Sequence, residues 1–192
     1  GSKLGVTTQP SGTATNGVAF PQQPVLQLQD GSGNPVLLAG GTVSATIASG
    51  AGTLGGTTSV LTNASGQASF TNLAITGTAG AHTLLFAASG YTGITSNTIS
   101  LVAGAATQLA LTTAPSSGAQ SGVAFSTQPV VQLRDQSGNN VSTASVNITA
   151  SFATGSGTLV GTTIVATNAS GQALYSGLGI SGLVGNYTLR FS

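Results

Sequence analysis

One stretch of this chain is written twice. Thr7-Thr8-Gln9-Pro10 returns as Thr112-Thr113-Ala114-Pro115, and Gly17-Val18-Ala19-Phe20 as Gly122-Val123-Ala124-Phe125, each 105 positions on. Thr62-Asn63-Ala64-Ser65-Gly66-Gln67-Ala68 returns at the same offset as Thr167-Asn168-Ala169-Ser170-Gly171-Gln172-Ala173. The register holds without a gap from Leu4–Ala87 over Leu109–Ser192, with roughly half of the paired positions identical. A chain built this way must fold the same unit twice, and 192 residues hold two units of ordinary domain size.

Within each copy the apolar residues recur every second position. In Pro24–Asp30, Leu26 and Leu28 face one way and Gln27 and Gln29 the other; the second copy sets Val131 and Leu133 against Gln132 and Arg134. The same period runs through Leu4 and Val6, through Val43, Ala45 and Ile47, and through Leu84 and Phe86, with their counterparts 105 positions on. Leu85 becomes Arg190 while Leu84 and Phe86 keep their identity, which places residue 85 outside and its neighbours inside. Turn-forming clusters separate the strands, at Asp30–Pro35, Ser49–Thr53 and Asn63–Gly66, each with a glycine free to take positive φ. No stretch carries a helical apolar stripe. Several short strands with turns every 8–12 residues predict an all-β sandwich in each copy.

Composition removes most chemistry. Three Lys+Arg, two Asp+Glu and one His make the chain 3% charged, yet 40% of it is apolar, enough for a packed core. Without cysteine there is no disulfide, thiolate nucleophile or sulfur-ligated metal. Lys3, Arg134 and Arg190 are too few and too scattered to follow a phosphate backbone, so no nucleic acid is expected. No apolar run is long enough for a membrane span. The start at Gly1-Ser2, without methionine or a signal-like apolar stretch, leads us to expect a fragment of a mature protein.

The motif order is specific enough to suggest a family. Val25-Leu-Gln-Leu-Gln-Asp30, Gly33-Asn34-Pro35-Val36, Gly50-Ala-Gly-Thr-Leu54, Thr62 to Ala68 and His82-Thr-Leu-Leu-Phe86 follow one another in the first copy. The second copy answers with Asp135, Gly138-Asn139-Asn140-Val141, Gly155-Ser-Gly-Thr-Leu159, Thr167 to Ala173 and Tyr187-Thr-Leu-Arg-Phe191. This series resembles the bacterial immunoglobulin-like repeats of group 1, the invasin and intimin type of surface adhesins. The resemblance implies two tandem Ig-like β-sandwich domains in an extracellular or cell-surface stalk that projects an adhesive tip or builds a fibre.

Each chemically able residue has a plain structural reading. His82 is the sole imidazole, and its counterpart is Tyr187, so the position is expected to be a packing site. Asp30 and Asp135 stand one domain apart, too far for a carboxylate pair and too few for calcium. They are expected to accept backbone N–H bonds in tight turns, which makes Asp30, Gly33, Asn34, Gly66, Asp135, Gly138, Asn139 and Gly171 turn-structural residues. Five glycosylation-type triplets, at Asn63, Asn140, Asn147, Asn168 and Asn186, are what a chain this rich in Asn, Ser and Thr produces by composition. No catalytic residue, cofactor or metal site is expected, and no enzyme.

The domains are expected at 4–103 and 106–192. Thr98-Ile-Ser-Leu-Val102 reads as the last strand of the first, and the second reaches only the equivalent of Ala87, so it is expected to lack that strand. The expected function is a spacer or fibre-building module. The expected partners are neighbouring repeats of a longer chain or other copies of this one, met through the open sheet edge. Two alternatives remain: a carbohydrate-binding sandwich using Tyr91 or Tyr187, and a self-assembling filament subunit completed by strand donation; a carbohydrate or host-surface ligand stays open as a partner.

Overall fold

The computed structural model describes residues 1–192 and divides into two compact units, Gly1–Gly104 and Ala105–Ser192. Both are all-β, with no helix in either, and so no helix long and apolar enough to cross a membrane.

Unit 1 runs β1 (Lys3–Thr8), β2 (Thr13–Thr15), β3 (Val25–Gln29), β4 (Thr42–Ser49), β5 (Gly52–Gly55), β6 (Ser59–Leu61), β7 (Gln67–Ser69), β8 (Ala74–Gly77), β9 (Gly80–Ala88), β10 (Tyr91–Thr95) and β11 (Ile99–Val102). β3 lies between β1 and β7, antiparallel to both, while β4 lies between β6 and β9 in the same sense. β5 and β8 form their own antiparallel pair. The closing strands tie these groups together. β10 pairs antiparallel with β9 and parallel with β1, and β11 pairs antiparallel with the first residues of β9 and parallel with β2. The period-two residues meet inside, with Leu4, Leu26, Leu28, Val43, Leu84, Phe86, Ile99 and Leu101 in one cluster.

Unit 2 runs β12 (Gln108–Thr113), β13 (Val123–Ala124), β14 (Val130–Arg134), β15 (Asn147–Thr154), β16 (Gly157–Val160), β17 (Ile164–Ala166), β18 (Gln172–Leu174), β19 (Gly179–Gly182) and β20 (Thr188–Phe191). Apart from the β13–β19 pair, which in unit 1 is a single bridge between Ala19 and Ala74, its ladders repeat those of unit 1. Leu26 opposite Ala68 returns as Val131 opposite Ala173, and Ala45 opposite Phe86 as Ala150 opposite Phe191. Even the bulge between Val6 and Thr8 recurs between Leu111 and Thr113. Nothing in unit 2 corresponds to β2, β10 or β11.

Three expectations need correction. Gln27 and Gln132, expected outside, are buried. β3 and β14 are inner strands, and each glutamine amide turns into a neighbouring loop and donates to its carbonyls, so the polar face of the alternation is also covered. Leu109, Leu111, Leu189 and Phe191, expected inside, are only partly covered, with Leu109 38% and Leu111 48% exposed; Ile47 and Phe152 are half-buried in their own units. Finally, the turn expected over Ser49–Thr53 is shorter. Gly52 already opens β5, and its missing side chain leaves room for the Thr76 carbonyl across the pair.

Candidate functional site

The two aspartates sit at the same point of each unit, just after β3 and β14. Asp30 Oδ1 accepts the N–H groups of Ser32 and Asn34, each at 2.9 Å, and Oδ2 accepts Asn34 Nδ2 at 2.9 Å. Asp135 does the same with Ser137 and Asn139 at 2.9 Å and with Asn139 Nδ2 at 3.0 Å. Gly33 and Gly138 take φ of 91° and 81°, and each donates its N–H back to the aspartate carbonyl. Donation by the Asn34 side-chain amide first, and by its backbone N–H next, holds the Asp30 carboxyl below the usual carboxylate range.

A second turn closes over the first. Asn63 Oδ1 accepts the N–H groups of Ser65 and Gln67, and Asn168 Oδ1 those of Ser170 and Gln172. Gly66 and Gly171 follow with φ of 72° and 73°, their Cα atoms set against the carbonyls of Val36 and Val141 with no room for a side chain. The structure therefore brings Gly66 against the segment that leaves the Asp30 turn, and Gly171 against the segment that leaves the Asp135 turn. Gln27 Nε2 joins them, shared among the carbonyls of Leu28, Ser65 and Gly66 at 3.1, 2.9 and 3.3 Å, and Gln132 repeats the arrangement. Sequence reading missed these glutamines, although a signal was present: Gln29 changes to Arg134 between the copies while Gln27 stays Gln132.

His82 is buried on β9, its ring lying over Gly50, whose φ is 94°. Its Nδ1 is 3.1 Å from the Gly80 carbonyl and its Nε2 3.3 Å from that of Ala51. Tyr187 keeps the place, with its ring over Gly155 and its hydroxyl donating to Leu183 O at 2.6 Å and reaching Ser156 O, the counterpart of Ala51 O, at 3.2 Å. Of the other tyrosines, Tyr175 is buried in unit 2 with its hydroxyl on Ile148 O at 2.7 Å, and Tyr91 lies half-buried on β10. Within neither unit do two exposed rings form a platform.

Unit 2 holds a cavity of about 340 Å³ between the segments 115–121 and 182–189, floored by Phe125, Ile180 and Leu189 and free of charged side chains.

A family model described as SMCHD1 Ig-like domain 6 matches residues 5–103, just over half of the chain. The chain belongs to this Ig-like family. Solved adhesins are also similar to it, at low identity. The Escherichia coli adhesin FdeC is 16% identical, with a TM-score of 0.45 over 99% of this chain and 58% of that one. Invasin, a bacterial integrin-binding protein, is 19% identical with a TM-score of 0.41 over 98% and 36%, and the Yersinia pseudotuberculosis adhesin InvE 20% with 0.39 over 94% and 51%. The Ig-like chain thus spans between about a third and three fifths of the length of these structures. No curated protein matches its sequence.

Proposed function

We infer that the chain is a structural spacer of an extracellular or cell-surface adhesin-type protein, its Ig-like units extending other parts of that protein and bearing tension, with no enzymatic role. The observation that carries this reading is the direction of the outer strands of unit 1. Near the N-terminal end, β1 and β2 run parallel to the closing strands β10 and β11, with Ser100, Leu101 and Val102 opposite Thr13, Ala14 and Thr15. Tension applied at the two ends pulls parallel neighbours in opposite senses along their length. The N–H bonds from Ser100 to Gly12 O and from Asn16 to Val102 O then load together instead of opening one by one.

The turns fit the same role. With every aspartate oxygen engaged by N–H donors of its own loop, Asp30, Gly33, Asn34 and Gly66, like Asp135, Gly138, Asn139 and Gly171, serve the fold and not a ligand. A surface with so few charges also leaves little for salt or pH to act on.

The test is exchange. Placed between a cell-surface anchor and a reporter binding domain, the chain should be replaceable by an unrelated Ig-like pair of equal length without loss of reporter binding, and shortening it should reduce that binding. Saturable binding of the isolated chain to carbohydrates or host surfaces would overturn the reading.

A further inference from the structure

The fold treats two of the five glycosylation-type triplets differently from the rest. Asn63-Ala64-Ser65 and Asn168-Ala169-Ser170 are exposed at all three positions and stand out between buried neighbours, Thr62 and Gly66 in one unit, Thr167 and Gly171 in the other. The other three triplets are held down by their middle residue. Val141 is buried and donates its N–H to Leu133 O, Ile148 is buried within β15, and Tyr187 packs its ring on Gly155 and Phe152.

Composition accounts for the number of triplets, but not for the atoms these two turns leave unused. Asn63 Oδ1 accepts the N–H groups of Ser65 at 2.9 Å and Gln67 at 3.0 Å, and Asn168 Oδ1 those of Ser170 at 2.9 Å and Gln172 at 3.1 Å. Each turn therefore uses the carbonyl half of the side-chain amide and leaves Nδ2 without a partner in the protein. An aspartate would serve such a turn equally well, as Asp30 and Asp135 do in theirs. The Ser65 and Ser170 hydroxyls are also unbonded, so the fold gives no reason for a serine in both copies. Two donors on Oδ1 change what Nδ2 can do. A carboxamide nitrogen that attacks an electrophile gives up a proton while negative charge gathers on its oxygen, and N–H groups already aimed at that oxygen stabilise the charge.

We propose that Asn63 and Asn168 are acceptor sites for N-linked sugar, one in each unit, presented ready-folded to a glycosyltransferase. The donor is a sugar activated at its anomeric carbon by a diphosphate leaving group. Nδ2 attacks that carbon and forms the N–C bond. The bond from the carbon to the diphosphate oxygen breaks, the diphosphate departs with the electron pair, and the Nδ2 proton passes to a base of the transferase. The hydroxyl of Ser65 or Ser170 is what the transferase reads beside the amide. A sugar on each unit supplies the solvation that a surface with three basic and two acidic side chains otherwise lacks. The proposal stands whether or not the chain serves as a spacer.

The experiment offers the intact folded chain to two transferases in separate arms, a soluble asparagine glucosyltransferase with UDP-glucose and a membrane oligosaccharyltransferase with a lipid-diphosphate-linked oligosaccharide. Peptide mass mapping scores each asparagine, and synthetic peptides spanning the triplets verify that both enzymes are active. Sugar is expected on Asn63 and Asn168 and not on Asn140 or Asn147, and the arm that transfers identifies the donor. Ser65→Ala should abolish transfer to Asn63 alone and leave the melting midpoint of unit 1 where it was. Asn63→Asp, which keeps the oxygen that the turn needs, should do the same. No transfer to the folded chain in either arm would overturn the proposal, as would transfer to Asn140 and Asn147 as readily as to Asn63. A fall in the stability of unit 1 with Ser65→Ala would overturn it too, by showing that the hydroxyl serves the fold.

Discussion

At the scale of single residues, each unit is organised around a glutamine that the alternating pattern places on the wrong side. Gln27 supplies the amide that the Ser65 carbonyl accepts beneath the turn. Gln27→Leu should cost unit 1 about 1–3 kcal/mol, because a partly buried carbonyl loses its donor, and a lower urea midpoint would register it. Gly66→Ala should cost about 1 kcal/mol or more through its positive φ alone, before the collision with Val36 O is counted. Two titrations have definite signs. The Asp30 carboxyl is held below its ordinary value, so its contribution is complete above the usual carboxylate range and fades as pH falls through it and below; Asp30→Ala should flatten that acid limb in a pH series of unfolding curves. Burial pushes the Tyr175 hydroxyl up to about 12. Its contribution is therefore complete below the unfolded value near 10 and lost as pH rises through about 12, a decline of unit 2 that Tyr175→Phe should remove. Leu26, Leu28, Val43, Leu84 and Phe86 were legible in the sequence because period two separates faces. Gln27 was not, since alternation says nothing of a loop folding back over the other face.

At the scale of strands, the copies agree wherever both have a partner and part company where one does not. The inward face was readable for β3, β4 and β9 because positions 26, 43 and 84 stay apolar in both copies. The exposure of Leu109 and Leu111 was not, because it depends on strands elsewhere in the chain. β12 keeps β14 but has no counterpart of β10 on its other side, while β1 has β10. The short strand β2 was unreadable for the same reason, since Thr13–Thr15 is extended only against β11. Amide exchange should reproduce this contrast: the Asn16 and Ser100 amides of unit 1 protected, and residues 118–120 of unit 2 exchanging close to the rate of an open loop. Leu101→Ala should cost unit 1 about 2–5 kcal/mol and release the protection of β2 along with that of β11.

At the scale of the whole molecule, the Ig-like chain is defined by how little of it can respond to its surroundings. Its ionisable side chains are Lys3, Asp30, His82, Arg134, Asp135, Arg190 and three tyrosines. Its melting midpoints should therefore move by less than about 10 °C between pH 5 and 9, and hardly at all with added salt. The role proposed for it is resistance to load, and single-molecule extension from residues 1 and 192 tests that proposal most directly. Unit 1 should yield in one abrupt event that releases about 300–350 Å of chain, with unit 2, whose terminal strands β12 and β20 pair only antiparallel with β14 and β15, giving way at lower force. Gradual lengthening of unit 1 without an abrupt event, or rupture of unit 1 at a force no higher than that of unit 2, would contradict the account.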